Sequence, residues 1–280
     1  AHPEFIRHAD QVDDAYSRWK ETVTPDLMGL SGDVHPKDLI ARISEQLLDD
    51  FAQVPLLDKY DVYEVLMEYW AETMQDDVYA ICYDGYEAGR EIAYAYVTKK
   101  KKENGQTIEV QTDKIKGFEG KLLPKALIAA HFFGEDARTL DTLRGQLDEV
   151  SAKLEELAEE NGGEDGLFAQ LDDLKKATVS ARIKAIKKDS AAKEELAALQ
   201  EYMSLLDAES DYKKALKQAE ADLDTKLEKK YPQLTLEEIS HLLVEEKWFA
   251  AIYSGIDAIH EAVSHHLSAR VTQLVERYEY

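Results

Sequence analysis

The chain has 280 residues, 44% of them hydrophobic, and a formal charge of −23. That is enough apolar material for one large domain or two ordinary ones, which excludes wholesale disorder; the charge excludes a surface that attracts DNA or anionic lipid by itself. Thirteen glycines and six prolines are few for this length and favour a mainly α fold.

Cys82 is the single cysteine, so no internal disulfide can form, which fits a reducing, cytoplasmic setting. No apolar run approaches the ~18 residues that span a membrane, and the first residues are acidic where a signal peptide is basic and apolar. A chain opening on Ala1 reads either as cut from something longer or as having its initiator Met removed by processing.

Residues 1–30 read as a helix, with Phe5, Val12, Tyr16 and Trp19 at helical spacing and Pro25 and Gly29 ending it. A second helix carries Leu39, Ile40, Ile43, Leu47 and Phe51 on one stripe, with Pro36 near its first turn, where a missing N–H costs little. The next segment, DKYDVYEVLMEYWAETMQDDVY, is dense in aromatics. Asp61 and Glu64 read as an acidic variant of the capping box, and Tyr63, Leu66, Met67, Trp70 and Met74 fall on a wide apolar stripe. Tyr60, Tyr69 and Tyr79 lie off it.

Residues 78–112 read as a small antiparallel β insert. VYAICYDGY is β-rich and ends in an Asp-Gly turn, Ile92, Tyr94 and Tyr96 alternate, KKKKENGQ is a solvated turn and TIEVQT a returning strand. Phe118 sits in a loop between Gly117 and Gly120, and Pro124 opens a helix. From residue 135 the text is long-helix text. Leu140, Leu143, Leu147, Val150, Leu154 and Leu157 keep strict alternating three- and four-residue spacing, an a/d seam. Gly162 and Gly163 stop it, and residues 167–187 read as a shorter amphipathic helix. A second long helix over 190–230 has a seam of Tyr202, Leu205, Tyr212, Leu216, Ala219 and Leu223 broken by Glu209.

The architecture expected is a helical body with a projecting antiparallel coiled-coil hairpin. Its regions are 1–134 (helices with the β insert), 135–231 (arm with a helical tip) and 232–280 (closing helices on the body or the arm base). Thr235 and Glu238 form a capping box. The last helix, from about residue 246, carries a stripe from Trp248 to Tyr278, longer than one small domain needs.

Little text carries chemistry. There is no phosphate-cradling GxxxxGK[ST] loop, no dinucleotide-binding turn, and no adjacent prolines for the Asn/Asp-Pro-Pro-aromatic loop of amino-group methyltransferases. HEAVSH resembles a zinc-protease motif, but its five-residue spacing turns His260 and His265 about 140° apart on a helix. His131 reads as a core-edge residue, and Lys99 to Lys102 as a solvated run.

Five collinear blocks resemble the modification (DNA methyltransferase) subunit of type I restriction–modification systems: HPEF, residues 56–88, FEGKLLPKALIAAHFF, EENGGEDGLFAQLDDLKKA and KKYPQLTLEEISHLLVEEKW. The resemblance covers nearly the whole chain and implies its C-terminal portion, after the catalytic domain. It implies adenine-N6 methylation by the parent enzyme, with S-adenosylmethionine bound in an upstream domain and no cofactor, metal or catalytic residue in this chain. The implied partners are the specificity subunit, a second modification subunit and a restriction subunit, with DNA reached only through the complex and no membrane. Leu140, Leu143, Leu147, Val150, Leu154, Leu157, Tyr60 and Tyr69 are the partner-interface candidates. Two other readings stand beside it: a freestanding coiled-coil adaptor or dimer, and an enzyme with an unfamiliar site around Tyr63, Tyr79, Tyr83 and Tyr86.

Overall fold

The computed structural model describes residues 3–103, 106–163, 166–189 and 191–278. In chain order these form α1 (Pro3–Met28), α2 (Pro36–Asp50), α3 (Lys59–Tyr69), α4 (Gln75–Asp84), β1 (Ile92–Glu103), β2 (Gln106–Gly120), α5 (Lys125–Phe132), α6 (Gly134–Asn161), α7 (Lys176–Ile186), α8 (Lys193–Lys230), α9 (Leu236–His241) and α10 (Ala250–Tyr278). The fold is mainly α with one small two-stranded antiparallel sheet. The chain divides into two compact units: residues 1–127 with 228–280, and residues 128–227.

The core of the first unit is built on α1, whose Val12, Ala15, Tyr16, Trp19, Val23 and Leu27 are all buried. Trp19 is fully enclosed, and its indole N–H donates to the carbonyl of Ile43 on α2, 2.8 Å away. That bond satisfies the one polar atom of a large apolar side chain, the condition for burying it whole. The ring also meets Phe249 edge-on at 5.6 Å between centroids.

α3 and α4 are one helical rod joined by a π-helical turn, Trp70–Met74. Val62, Leu66, Trp70, Met74, Val78 and Ile81 are its buried apolar residues. Apolar residues at every fourth position drift around an α-helix by roughly 40° per step. The extra residue of the π turn turns the stripe back toward the core. The β reading of residues 78–86 is therefore corrected, because Val78 and Ile81 continue a helical face. Tyr63 and Met67 are only half-buried. The helix is capped by Asp58, whose carboxylate accepts the Tyr60 N–H at 2.9 Å, and not by Asp61. Asp84-Gly85 ends it: Gly85 takes a φ of 75° and donates its N–H to Ile81, a conformation open to glycine at no steric cost.

The sheet spans residues 92–120 rather than 78–112. Its ladder runs from Ile92 opposite Gly120 to Glu103 opposite Gln106, with bulges around Tyr96. Lys99 to Lys102 thus belong to β1 and not to a turn, and Phe118 lies in β2, buried and opposite Tyr94. Asn104 and Gly105, between the strands, lie outside the described residues.

The second unit contains an antiparallel helical hairpin. Asp136 of α6 pairs with Lys226 of α8, Arg144 with Glu220, and Ser151 with Glu209, so partner numbers fall on α8 as they rise on α6. At its far end Leu154, Phe168, Val179, Ile186, Leu199 and Tyr202 form a buried cluster. The amphipathic stretch expected over 167–187 is helical only from Lys176, because Phe168 is drawn into this cluster from a non-helical turn. The Thr235–Glu238 capping box is present in both directions.

Candidate protein-interaction surfaces

The predicted a/d seam of α6 lines the inside of the hairpin. Leu140 and Leu154 are buried, and Leu143, Leu147, Val150 and Leu157 are half-buried. Glu209, the polar break in the facing seam, accepts from Ser151 at 3.4 Å and pairs with Lys213 at 2.8 Å. Its charge is satisfied locally, which keeps the seam closed.

The two interface tyrosines separate. Tyr60 is 63% exposed, its ring flanked by the Lys59 ammonium at 5.4 Å from the centroid. Tyr69 is half-buried, and its hydroxyl donates to the carbonyl of Lys247 at 3.3 Å. Burial holds its ionisation well above the ordinary phenol range, and the nearby Asp77 charge adds to this. Tyr69 is thus tied into its own unit, while Tyr60 is open for contact.

Beneath Tyr69 lies a polar centre that sequence reading missed. Asp77, 6% exposed, accepts from the Lys247 ammonium at 2.5 Å and from the Trp248 indole at 2.9 Å. Lys247 also donates to the carbonyl of Leu122 at 2.7 Å. Lys247 and Trp248 lie on a second π-helical segment, Leu242–Phe249, between α9 and α10. The node clamps three separate chain segments.

α10 carries an apolar stripe that is covered at one end and open at the other. Ile252 and Ile256 are fully buried on the body. Alongside them Tyr253 donates to Asp13 at 2.7 Å, and His260 stacks on the buried His8 with centroids 5.0 Å apart. These contacts run antiparallel, so the start of α1 falls near Leu267. Past that level Val271 and Leu274 are 57% and 41% exposed. The same stripe is core at one end and surface at the other.

His260 and His265 do not converge, and among the described residues no cluster of three metal-ligating side chains occurs. Among the described residues no helix is long and apolar enough to cross a membrane. Of the other tyrosines, Tyr79 and Tyr83 are 47% and 90% exposed on α4, and the Tyr86 hydroxyl donates to the carbonyl of Leu27.

The chain matches no protein-family model, no curated protein and no solved structure. The residues offer no Gly-rich turn and no paired-proline loop that would fit S-adenosylmethionine, so no methyl-transfer step is assigned to this chain.

Proposed function

We propose that this chain is the C-terminal assembly region of a type I restriction–modification adenine-N6 methyltransferase subunit, and that its task is to dock the specificity subunit. The observation that carries the reading is the α10 stripe, which is fully buried at Ile252 and Ile256, half-buried at Ile259, Val263 and Leu267, and exposed at Val271 and Leu274. Apolar helix faces of this kind lay themselves into grooves on partner helices. The five collinear sequence blocks supply the identity of the partner, a specificity subunit with a helical spacer. The hairpin contributes through its outer surface, since its inner seam is filled by its own two helices. Methyl transfer and S-adenosylmethionine binding belong to a catalytic domain outside these 280 residues.

Size-exclusion chromatography with the cognate specificity subunit tests this. The chain should co-elute with it, and Val271→Glu with Leu274→Glu should abolish the complex. Leu236→Glu, at another exposed leucine, should leave it intact. Equal binding by all variants, or no complex with the unaltered chain, would overturn the proposal. A homodimer that the two α10 replacements dissolve, without any affinity for the specificity subunit, would instead establish the freestanding adaptor.

A further inference from the structure

The rod of α3, the π turn and α4 has a face that its own unit leaves uncovered. Tyr60, Tyr79 and Tyr83 are 63%, 47% and 90% exposed, and Glu64, Glu68, Glu72 and Asp76 are exposed between them. On a regular α-helix Tyr79 would stand about 100° around the axis from Tyr60. The π turn takes up one residue and leaves roughly 18 helical steps, which is five full turns. The three rings and four carboxylates therefore share a sector of roughly 90° that runs about 30 Å along the rod. It lies opposite the buried stripe of Val62, Leu66 and Trp70. None of the four carboxylates has a cationic partner among the described residues.

The chain also carries a face of the opposite character. Residues 175–188 hold six basic residues and no acid. Lys175, Lys176 and Arg182 are neutralised by Asp173, Asp207 and Glu195. Lys184, Lys187 and Lys188 are exposed, with no carboxylate partner among the described residues. Ala177, Ala181 and Ala185 are exposed beside Lys184, all four within roughly 100° of one another around α7. Val179 and Ile186, on the other side of the segment, are buried in the hairpin cluster. The open side of α7 is thus a patch of small side chains edged by free ammonium groups.

We infer that the tyrosine face of α3 and α4 docks α7 of a second copy of this chain. Large rings meet small alanines, so the two helices approach closely. Each ring face attracts a lysine ammonium. The carboxylates supply the complementary charge, which acts within a screening distance of about 8 Å at physiological salt. Acid alone does not select the face: Asp10, Asp14 and Glu21 are exposed on one line of α1, but that helix has no exposed tyrosine. A contact between two different faces is heterologous, so it closes a ring or extends as a filament. It uses neither α10 nor the specificity subunit and stands apart from the assembly reading. The three lysines also complement the negative C-terminal end of α7, a role that a charge swap separates from docking.

Sedimentation equilibrium of the full chain tests the assignment, with Val271→Glu and Leu274→Glu present throughout so that α10 contributes nothing. In about 0.1 M salt the average mass should rise with concentration above that of one chain. It should return to one chain in about 1 M salt, where screening shortens to roughly 3 Å. Combined Glu68→Lys, Glu72→Lys and Asp76→Lys should abolish the rise, and so should combined Lys184→Glu, Lys187→Glu and Lys188→Glu. Mixing these two variants should restore it, because the unaltered faces match each other and so do the reversed ones. Recovery on mixing also shows that neither set has unfolded. Tyr79→Ser with Tyr83→Ser should weaken association at least about tenfold. Asp10→Lys, Asp14→Lys and Glu21→Lys on α1 make the same change of charge and should leave it unaltered. A monomer at every concentration before the charge reversals, equal loss from the α1 set, or no recovery on mixing would overturn the assignment.

Discussion

The hydroxyl of Tyr16 donates to the main-chain carbonyl of Phe249, 2.6 Å away across 233 residues of chain. Phe249 is the last residue of the π-helical segment, and Tyr69 reaches the carbonyl of Lys247 in the same segment. Where a helix passes from π to α spacing, carbonyls leave the regular ladder and need other donors. Two tyrosines supply them. Tyr16→Phe keeps the ring and leaves a buried carbonyl without its donor, so urea denaturation should show a loss of about 1–3 kcal/mol.

The same tyrosines set the behaviour in alkali. Burial raises the ionisation of Tyr16, Tyr69, Tyr86 and Tyr231, and the hydrogen bond to Asp13 pushes Tyr253 up to about 12. In the unfolded chain tyrosine ionises near pH 10. From about pH 10 upward the unfolded state therefore binds fewer protons than the folded one, and stability falls with rising pH. The contribution of Tyr253 is whole below pH 10 and gone once pH has risen past about 12. Urea midpoints between pH 8 and 12, with tyrosinate absorbance followed in parallel, should show this decline. Tyr253→Phe should make it shallower.

The Asp77–Lys247 pair gives an asymmetric prediction. Both side chains are nearly enclosed, at 9% and 14% exposure. Asp77→Ala strands an ammonium whose remaining acceptor is the Leu122 carbonyl and should cost about 3–5 kcal/mol. Asp77→Leu combined with Lys247→Met removes both charges and should recover most of that loss. A double variant no more stable than Asp77→Ala would show that the charges themselves are required.

Leu154 separates inner from outer helix faces. Leu154→Ala removes buried contacts from the hairpin cluster and should destabilise it by about 2–5 kcal/mol. Val271→Ala, on the open stripe of α10, should change stability by less than about 0.5 kcal/mol. Hydrogen exchange resolved by peptide reads both, with faster exchange expected only over residues 134–227 for the first.

The parts legible in the sequence are those whose signal is local. The α6 seam repeats within a few turns, and the Thr235–Glu238 box closes within four residues, so each could be read where it stands. The π turn at Trp70–Met74 could not, because it exists to aim Val78 and Ile81 at a core that other segments complete. Without it, VYAICYDGY has strand-like composition. Lys99 to Lys102 have poor strand propensity and form β1 only through the ladder with β2. For the candidate surfaces, the stripe of α10 was visible, but which half is covered depends on α1, some 250 residues away in sequence. Tyr69 and Tyr60 looked alike in sequence; only the carbonyl of Lys247 distinguishes them.

Because the first unit is assembled from residues 1–127 and 228–280, synthesis imposes an order on it. On the ribosome α1 to α4 emerge long before α10 exists, and Trp19 lacks Phe249 until nearly the whole chain has been made. The hairpin of α6 and α8 closes through contacts nearer in sequence and can fold in the interval. Nascent chains should therefore expose the α1 face until Phe249 has been made, making that helix a target for chaperones and proteases.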